Sequence, residues 1–158
     1  MRSWLPARRR GDPQPTAPVA VVLATPGRPV SEAAIEATVR LAGGAAVAVV
    51  SIARVHGSAF GLPNPGLLPS RREREEQRSI VSDAIDALAR RGCRADGQVV
   101  VTRNAGRAFA NVARVRGARR VVLDAPGGGR LRRLVEGDPA RVIRSRLPGI
   151  ELVTVGGP

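Results

Sequence analysis

The sequence has no lysine and no tyrosine, one cysteine, one histidine, and only Trp4, Phe60 and Phe109 as large aromatics. Cys93 has no partner for an intramolecular disulfide, which removes the grounds for a secreted, stapled scaffold. With His56 as the sole imidazole, no His/Cys metal cluster can be assembled, and no tight carboxylate cluster replaces it. The longest nearly apolar run, Leu41–Ala53, is interrupted by glycine and serine and falls short of the ~20 residues a membrane helix requires. Met1–Arg10 opens like a charged signal-peptide start, but Gly11-Asp12-Pro13-Gln14-Pro15 follows where an apolar segment belongs, so a cytoplasmic location is expected. No Gly-x-Ser-x-Gly elbow, Walker lysine or Ser/His/Asp set occurs, and no catalytic residue is assigned.

What is present is 158 residues, 43% of them apolar and 25% charged, the balance of one soluble globular domain. With aromatics so scarce, the core must be packed from Val, Ala, Leu and Ile. All 26 basic residues are arginine, set against 13 acidic ones, for a net charge of +13. An all-Arg, Ala/Gly/Pro-rich composition is also what a GC-rich genome produces, and a basic surface attracts anions without specifying a site. Met1–Pro18 carries four of the 13 prolines and four arginines against Asp12, contributing +3 and leaving +10 elsewhere. It lacks any period and is read as a disordered basic tail (residues 1–18), with a polyanion-binding arm as its alternative. The domain proper is residues 19–155.

From Val19 onward, short apolar runs alternate with amphipathic segments. Val19–Ala24, Ala45–Ala53, Gly97–Thr102, Arg120–Ala125 and Ile150–Val155 read as strands, apolar throughout as strands buried on both faces are. Between them the spacing predicts helices over Ser31–Ala42, from Ser70 to about Arg91, over Ala105–Arg116 and over Asp138–Arg146. Ser31 and Ser70 read as caps, Ser70 with Glu73 as a capping box, while Asp138-Pro139 suits a helix start and Gly43-Gly44 a helix end. Arg71–Arg78 (RREREEQR) reads as a solvated, self-paired face. Strand–helix alternation of this kind predicts a five-stranded parallel α/β sheet with helices on both faces, Rossmann-like in architecture. Such sheets bind ligands at the strands' carboxyl ends, here Ala24-Thr25, Ile52-Ala53, Thr102-Arg103 and Asp124–Arg130.

The main candidate site is Asp124-Ala-Pro-Gly127-Gly128-Gly129-Arg130, directly after the fourth strand. Glycines let backbone N–H groups approach a phosphate, and the arginines around Arg130–Arg133 would neutralise it. Gly137 and Asp138 follow at the start of the last helix, whose dipole also favours anions. A glycine-rich strand-to-helix turn is more often just a turn. Thr25 and Ile52, at the ends of the first two strands, complete the candidate binding set. The stretch Arg130–Arg146, six arginines against Glu136 and Asp138, is expected to face this edge. His56 reads as a surface or loop-packing residue and Cys93 as a small apolar filler.

The strand–helix order with a long loop, Arg54–Pro69, after strand two resembles the universal stress protein family. So do Ser31-Glu-Ala-Ala-Ile-Glu-Ala-Thr-Val-Arg-Leu-Ala as first helix and the closing unit from Val121 to Val155. The resemblance covers about Val19–Val155. It implies a universal-stress-protein type of Rossmann-like sheet and a homodimer through the last strand, Ile150–Val155. ATP-binding members carry Gly-x2-Gly-x9-Gly-Ser/Thr. On this chain Gly127 and Gly137 match, whereas Asp124 stands at the first glycine and Asp138 at the Ser/Thr. Ala24 stands where such members place an aspartate. A carboxylate cannot donate to a phosphate, and two unit charges about 4 Å apart at an effective dielectric near 20 repel by about 4 kcal/mol.

Three readings follow. The first is a non-enzymatic stress-response or signalling domain of this type with a degenerate nucleotide or anion site. The second is an ATP-binding switch or slow ATPase using Gly127, Gly137 and Arg130–Arg133. The third is a polyanion or nucleic-acid binder through its arginines; the lack of a helix-turn-helix and of an aromatic platform argues against nucleic acid.

Overall fold

The computed structural model describes residues 16–55, 68–125 and 137–156. The expected alternation appears as β1 (Val21–Thr25), α1 (Glu32–Ala42), β2 (Val47–Arg54), α2 (Arg71–Ala89), β3 (Ala95–Thr102), α3 (Ala105–Val115), β4 (Arg120–Asp124), α4 (Pro139–Arg146) and β5 (Glu151–Val155). The strands form one five-stranded sheet in the order β3-β2-β1-β4-β5, parallel at every pairing.

Side-chain alternation divides the core in two. Val22, Ala24, Ala48, Val50 and Ile52 face α3 and α4, where Phe109 and Ile143 are fully buried. Val21, Leu23, Val47 and Val49 face α1 and α2, packing on Ala34, Ile35, Val81, Ala84 and Leu88. Cys93 is a buried apolar filler in this second layer, as expected. The helix starts are also those expected. Ser31 accepts from the Ala34 amide, Ser70 and Glu73 close a capping box, and Asp138 accepts from the Ala140 and Arg141 amides.

Two expectations are corrected. The strands are not all buried on both faces: β3 and β5 are the sheet edges, β3 half-buried with Val101 46% exposed and β5 partly exposed, because each pairs on one side alone among the described residues. It also begins at Ala95 rather than Gly97, bringing Asp96 into the sheet opposite Ala48. That charge is tolerated because Arg116, itself 2% exposed, grips both its oxygens at 2.8 and 2.7 Å. The Arg116 Nε donates to the Ala17 carbonyl, and the Val19 amide donates to the Arg116 carbonyl. The chain is thus tied down from Ala17 onward, within the stretch read as tail. Residues 1–15, like His56 and most of the Arg54–Pro69 loop, lie outside the described residues.

Candidate functional site

Strand order runs outward from β1 in both directions, so the crossovers part between β1 and β4 and leave a crevice at their carboxyl ends. Thr25 closes β1 and is fully buried. Its hydroxyl donates to the Arg28 carbonyl at 2.7 Å, folding Pro26-Gly27-Arg28 back on the strand. Gly27 has φ +97°, and a Cβ there would lie 2.7 Å from the Ile52 carbonyl oxygen. Only glycine lets this turn lie flat against the end of β2. Ile52 therefore offers the crevice its backbone, while its side chain is core.

A cleft of about 190 Å³ opens beside this contact. Its walls are Pro26 and Gly27 after β1, Ile52–Arg54 at the end of β2, and Pro69, Glu73 and Gln77 at the start of α2. The volume lies below the ~300 Å³ at which drug-sized sites begin, and suits a group the size of a single base. Gln77 is the residue that sequence reasoning missed. It sits inside RREREEQR, read as a solvated face, yet is buried. Its Oε1 accepts from the Ser51 hydroxyl at 2.5 Å and its Nε2 donates to the Gly27 carbonyl at 3.0 Å. The available signal was its spacing of three and four from Ile80 and Val81, which places it on the inward stripe. The rest of the run is exposed or half-buried, with Arg78 and Glu75 paired at 3.2 Å.

Asp124 ends β4 and has no solvent exposure. The Ser31 amide donates to its Oδ2 at 2.7 Å, and the Ser31 hydroxyl to its Oδ1 at 3.1 Å. The Arg28 Nη2 lies 3.7 Å from Oδ1. The carboxylate thus rests on the start of α1, where hydrogen bonds, a cation and the positive end of the helix dipole offset its burial. Across the crevice, Gly137 adopts φ +78° and passes the chain into α4. There the Asp138 Oδ1 accepts from the Ala140 and Arg141 amides at 3.1 and 3.3 Å.

Close packing of α4 on α3 rests on Gly106, a second residue the sequence did not single out. A Cβ there would lie 2.7 Å from the Val142 Cβ and 3.0 Å from the Pro139 backbone.

Of the sequence-predicted set, Thr25, Ile52, Gly137 and Asp138 all lie at the strands' carboxyl ends, whereas Gly127, Gly128, Gly129 and Arg130 fall outside the described residues. The expectation that Arg130–Arg146 faces one anion-binding edge is corrected for α4. Arg144 and Arg146 occupy its last turn, at the opposite end of the sheet from Asp138. At ~1.5 Å per residue they lie about 9 and about 12 Å along the helix from Asp138. Among the described residues, no three or more His, Cys, Asp or Glu gather to hold a metal ion. No described helix is long and apolar enough to cross a membrane.

The ATP that the resemblance implies is poorly served by the described residues. At the start of α4 the first free amides are already taken by Asp138, and at the start of α1 the Ser31 amide is taken by Asp124. These groups do not fit a phosphate at either helix end.

The sheet order, the crossovers and the crevice together define the α/β fold of the universal stress proteins. A universal stress protein family member from Burkholderia pseudomallei shares it with a TM-score of 0.61 and 20% identity, over 86% of this chain and 95% of that one. A universal stress protein from Archaeoglobus fulgidus in complex with dAMP matches with a TM-score of 0.54 and 17% identity, over 85% of this chain and 95% of its own. Another, in complex with cAMP, matches at 0.56 and 14%, over 88% and 98%. No protein-family model and no curated protein sequence matches the chain.

Proposed function

We propose that this chain is a cytoplasmic, non-enzymatic stress-response or signalling domain of the universal-stress-protein type. A base-sized subsite lies beside the ends of β1 and β2, and the neighbouring crevice between β1 and β4 has a degenerate phosphate end. The observation that carries this reading is the commitment of the crevice's polar side chains to the protein's own groups. Thr25 serves its turn, Gln77 ties Ser51 to Gly27, and Asp138 caps its helix. A nucleotide-type ligand is supported by the similar structures that hold dAMP and cAMP. The cleft beside Ile52 and Gln77 supplies a place for the ring, with Pro26, Gly27 and Ile52 among its walls and Thr25 just before them in the chain.

The partner is a second copy of the chain, joined through Ile150–Val155. In support, β5 pairs only with β4 and leaves its other edge open among the described residues. An unpaired edge of this kind is a template for strand addition. Native mass spectrometry of freshly purified protein tests nucleotide content and subunit number together. A dimer without a nucleoside triphosphate is expected. Co-purified ATP would overturn this reading in favour of an ATP-binding switch or slow ATPase.

A further inference from the structure

We propose that the outer edge of β3 is a docking site for an extended, acidic segment of a partner protein, which adds a further strand to the sheet. This surface is separate from both the crevice and the β5 edge.

The register of β3 leaves half of its backbone unused. The Val47 amide donates to the Arg94 carbonyl at 2.9 Å, and the Val55 amide to the Thr102 carbonyl at 3.2 Å. In a parallel ladder alternate residues bond the same neighbour. Ala95, Gly97, Val99 and Val101 therefore turn their N–H and C=O groups away from β2. No described strand pairs with them. At eight residues β3 is long for an edge, and it lacks the usual guards. It holds no proline, and its one charged side chain, Asp96, is gripped by Arg116. Val101, on the open edge, is an exposed apolar residue.

Charge selects what this edge accepts. Arg94 and Arg103 stand exposed at its two ends. Helix α2 lies close along it: a Cβ on Gly97 would collide with the Val81 side chain and lie 3.2 Å from the Ile85 Cδ1. Arg74 and Arg78 share that stripe of α2, about two turns and one turn before Val81. They run beside the carboxyl half of β3, since Gln77 bonds Ser51 and Ser51 is in register with Val99. Arg78 is paired with Glu75, whereas Arg74, Arg94 and Arg103 make no ion pair among the described residues. Two copies joined edge to edge about the middle of β3 would set Arg103 of each beside Arg94 of the other, like charge on like. The β5 edge differs: Glu151–Val155 holds no arginine, and Glu151 is paired with Arg120. An extended acidic segment meets the arginines at both ends of β3 while its backbone takes up the open hydrogen bonds.

The probe is a short peptide of alternating threonine and valine with paired glutamates at each end. Its control carries lysines in place of the glutamates. Each is titrated into the full chain, and binding is followed by calorimetry and by amide hydrogen exchange. The acidic peptide should bind and slow exchange at Gly97, Val99 and Val101 by about tenfold or more. Gln98 and Val100, already bonded to β2, should not change. The lysine peptide should bind about tenfold or more weakly than the acidic one. Val101→Pro removes an outward N–H that β2 does not use, and should weaken the acidic peptide by about tenfold or more. Arg103→Glu should weaken it and narrow its lead over the lysine peptide. If the proline variant does not fold, the charge variant carries the test.

An acidic peptide that leaves exchange at the three outward amides unchanged overturns the assignment, and arginines that only guard the edge would give that result. Equal affinity for the two peptides also overturns it, as does a folded Val101→Pro that binds the acidic peptide as the wild type does. Protection of the same amides that grows with the protein's own concentration, without peptide, would give the edge to a second copy and overturn it too.

Discussion

Arg116 is a charged side chain buried to 2% exposure, and its survival there depends on two partners. Asp96 takes both guanidinium nitrogens, and the Ala17 carbonyl takes Nε. Replacing Arg116 by alanine would open a cavity and strip Asp96 of its cation within the edge strand. Because Asp96 keeps 34% side-chain exposure, the expected loss lies at the low end for buried pairs, about 3 kcal/mol by urea denaturation. Arg116→Lys should recover only part of it, since an ammonium cannot make the two-pronged contact. A loss below about 1 kcal/mol for Arg116→Ala would show that the pair does not hold the chain's start. Neither this pair nor Ser31–Asp124 is legible in the sequence, because the partners lie 20 and 93 positions apart and only the crossing of strands joins them. The caps at Ser31, Ser70 and Asp138 are legible because a cap's donors lie within three residues of it.

At the scale of elements, α2 reaches across the sheet to hold the turn after β1. Gln77→Ala would leave the fully buried Ser51 hydroxyl without its acceptor and release the Gly27 carbonyl. The expected cost is about 1–3 kcal/mol, accompanied by faster amide exchange at Gly27 and Arg28. Unchanged exchange there would contradict the clamp. Gly106→Ala tests the seating of α4 on α3. With Val142 and the Pro139 backbone inside contact distance, the helices must part, at a cost of about 1–3 kcal/mol. The amide resonances of Asp138–Val142 should shift with it, and an unperturbed spectrum would show that the packing gives way elsewhere. Helix and strand positions were legible because the hydrophobic period changes from element to element, and boundaries differ by only a residue or two. Gln77 and Gly106 were not, because a polar residue on an inward stripe and a glycine inside a helix acquire meaning only from the neighbouring element.

At the scale of the whole molecule, several of the arginines behind the net charge of +13 are paired within the protein or set away from the crevice. Arg116 is buried in an ion pair, Arg120 pairs with Glu151, Arg91 with Glu32, and Arg144 and Arg146 lie at the far end of α4 from the crevice. Any polyanion binding is therefore expected to be diffuse and to weaken steeply as salt is raised, whereas an uncharged ligand in the cleft should be indifferent to salt. Filter-binding and calorimetric titrations over a salt series separate the two. A polyanion affinity that ignored salt would contradict the diffuse surface. The proposed site has a base-sized subsite beside Ile52 and Gln77 and no working phosphate subsite at the starts of α1 and α4. Calorimetric titration of the wild-type protein with adenosine and with ATP, side by side in one buffer, tests it most directly. ATP is expected to bind no more tightly than adenosine, and ATP binding about tenfold or more tighter would overturn the proposed site.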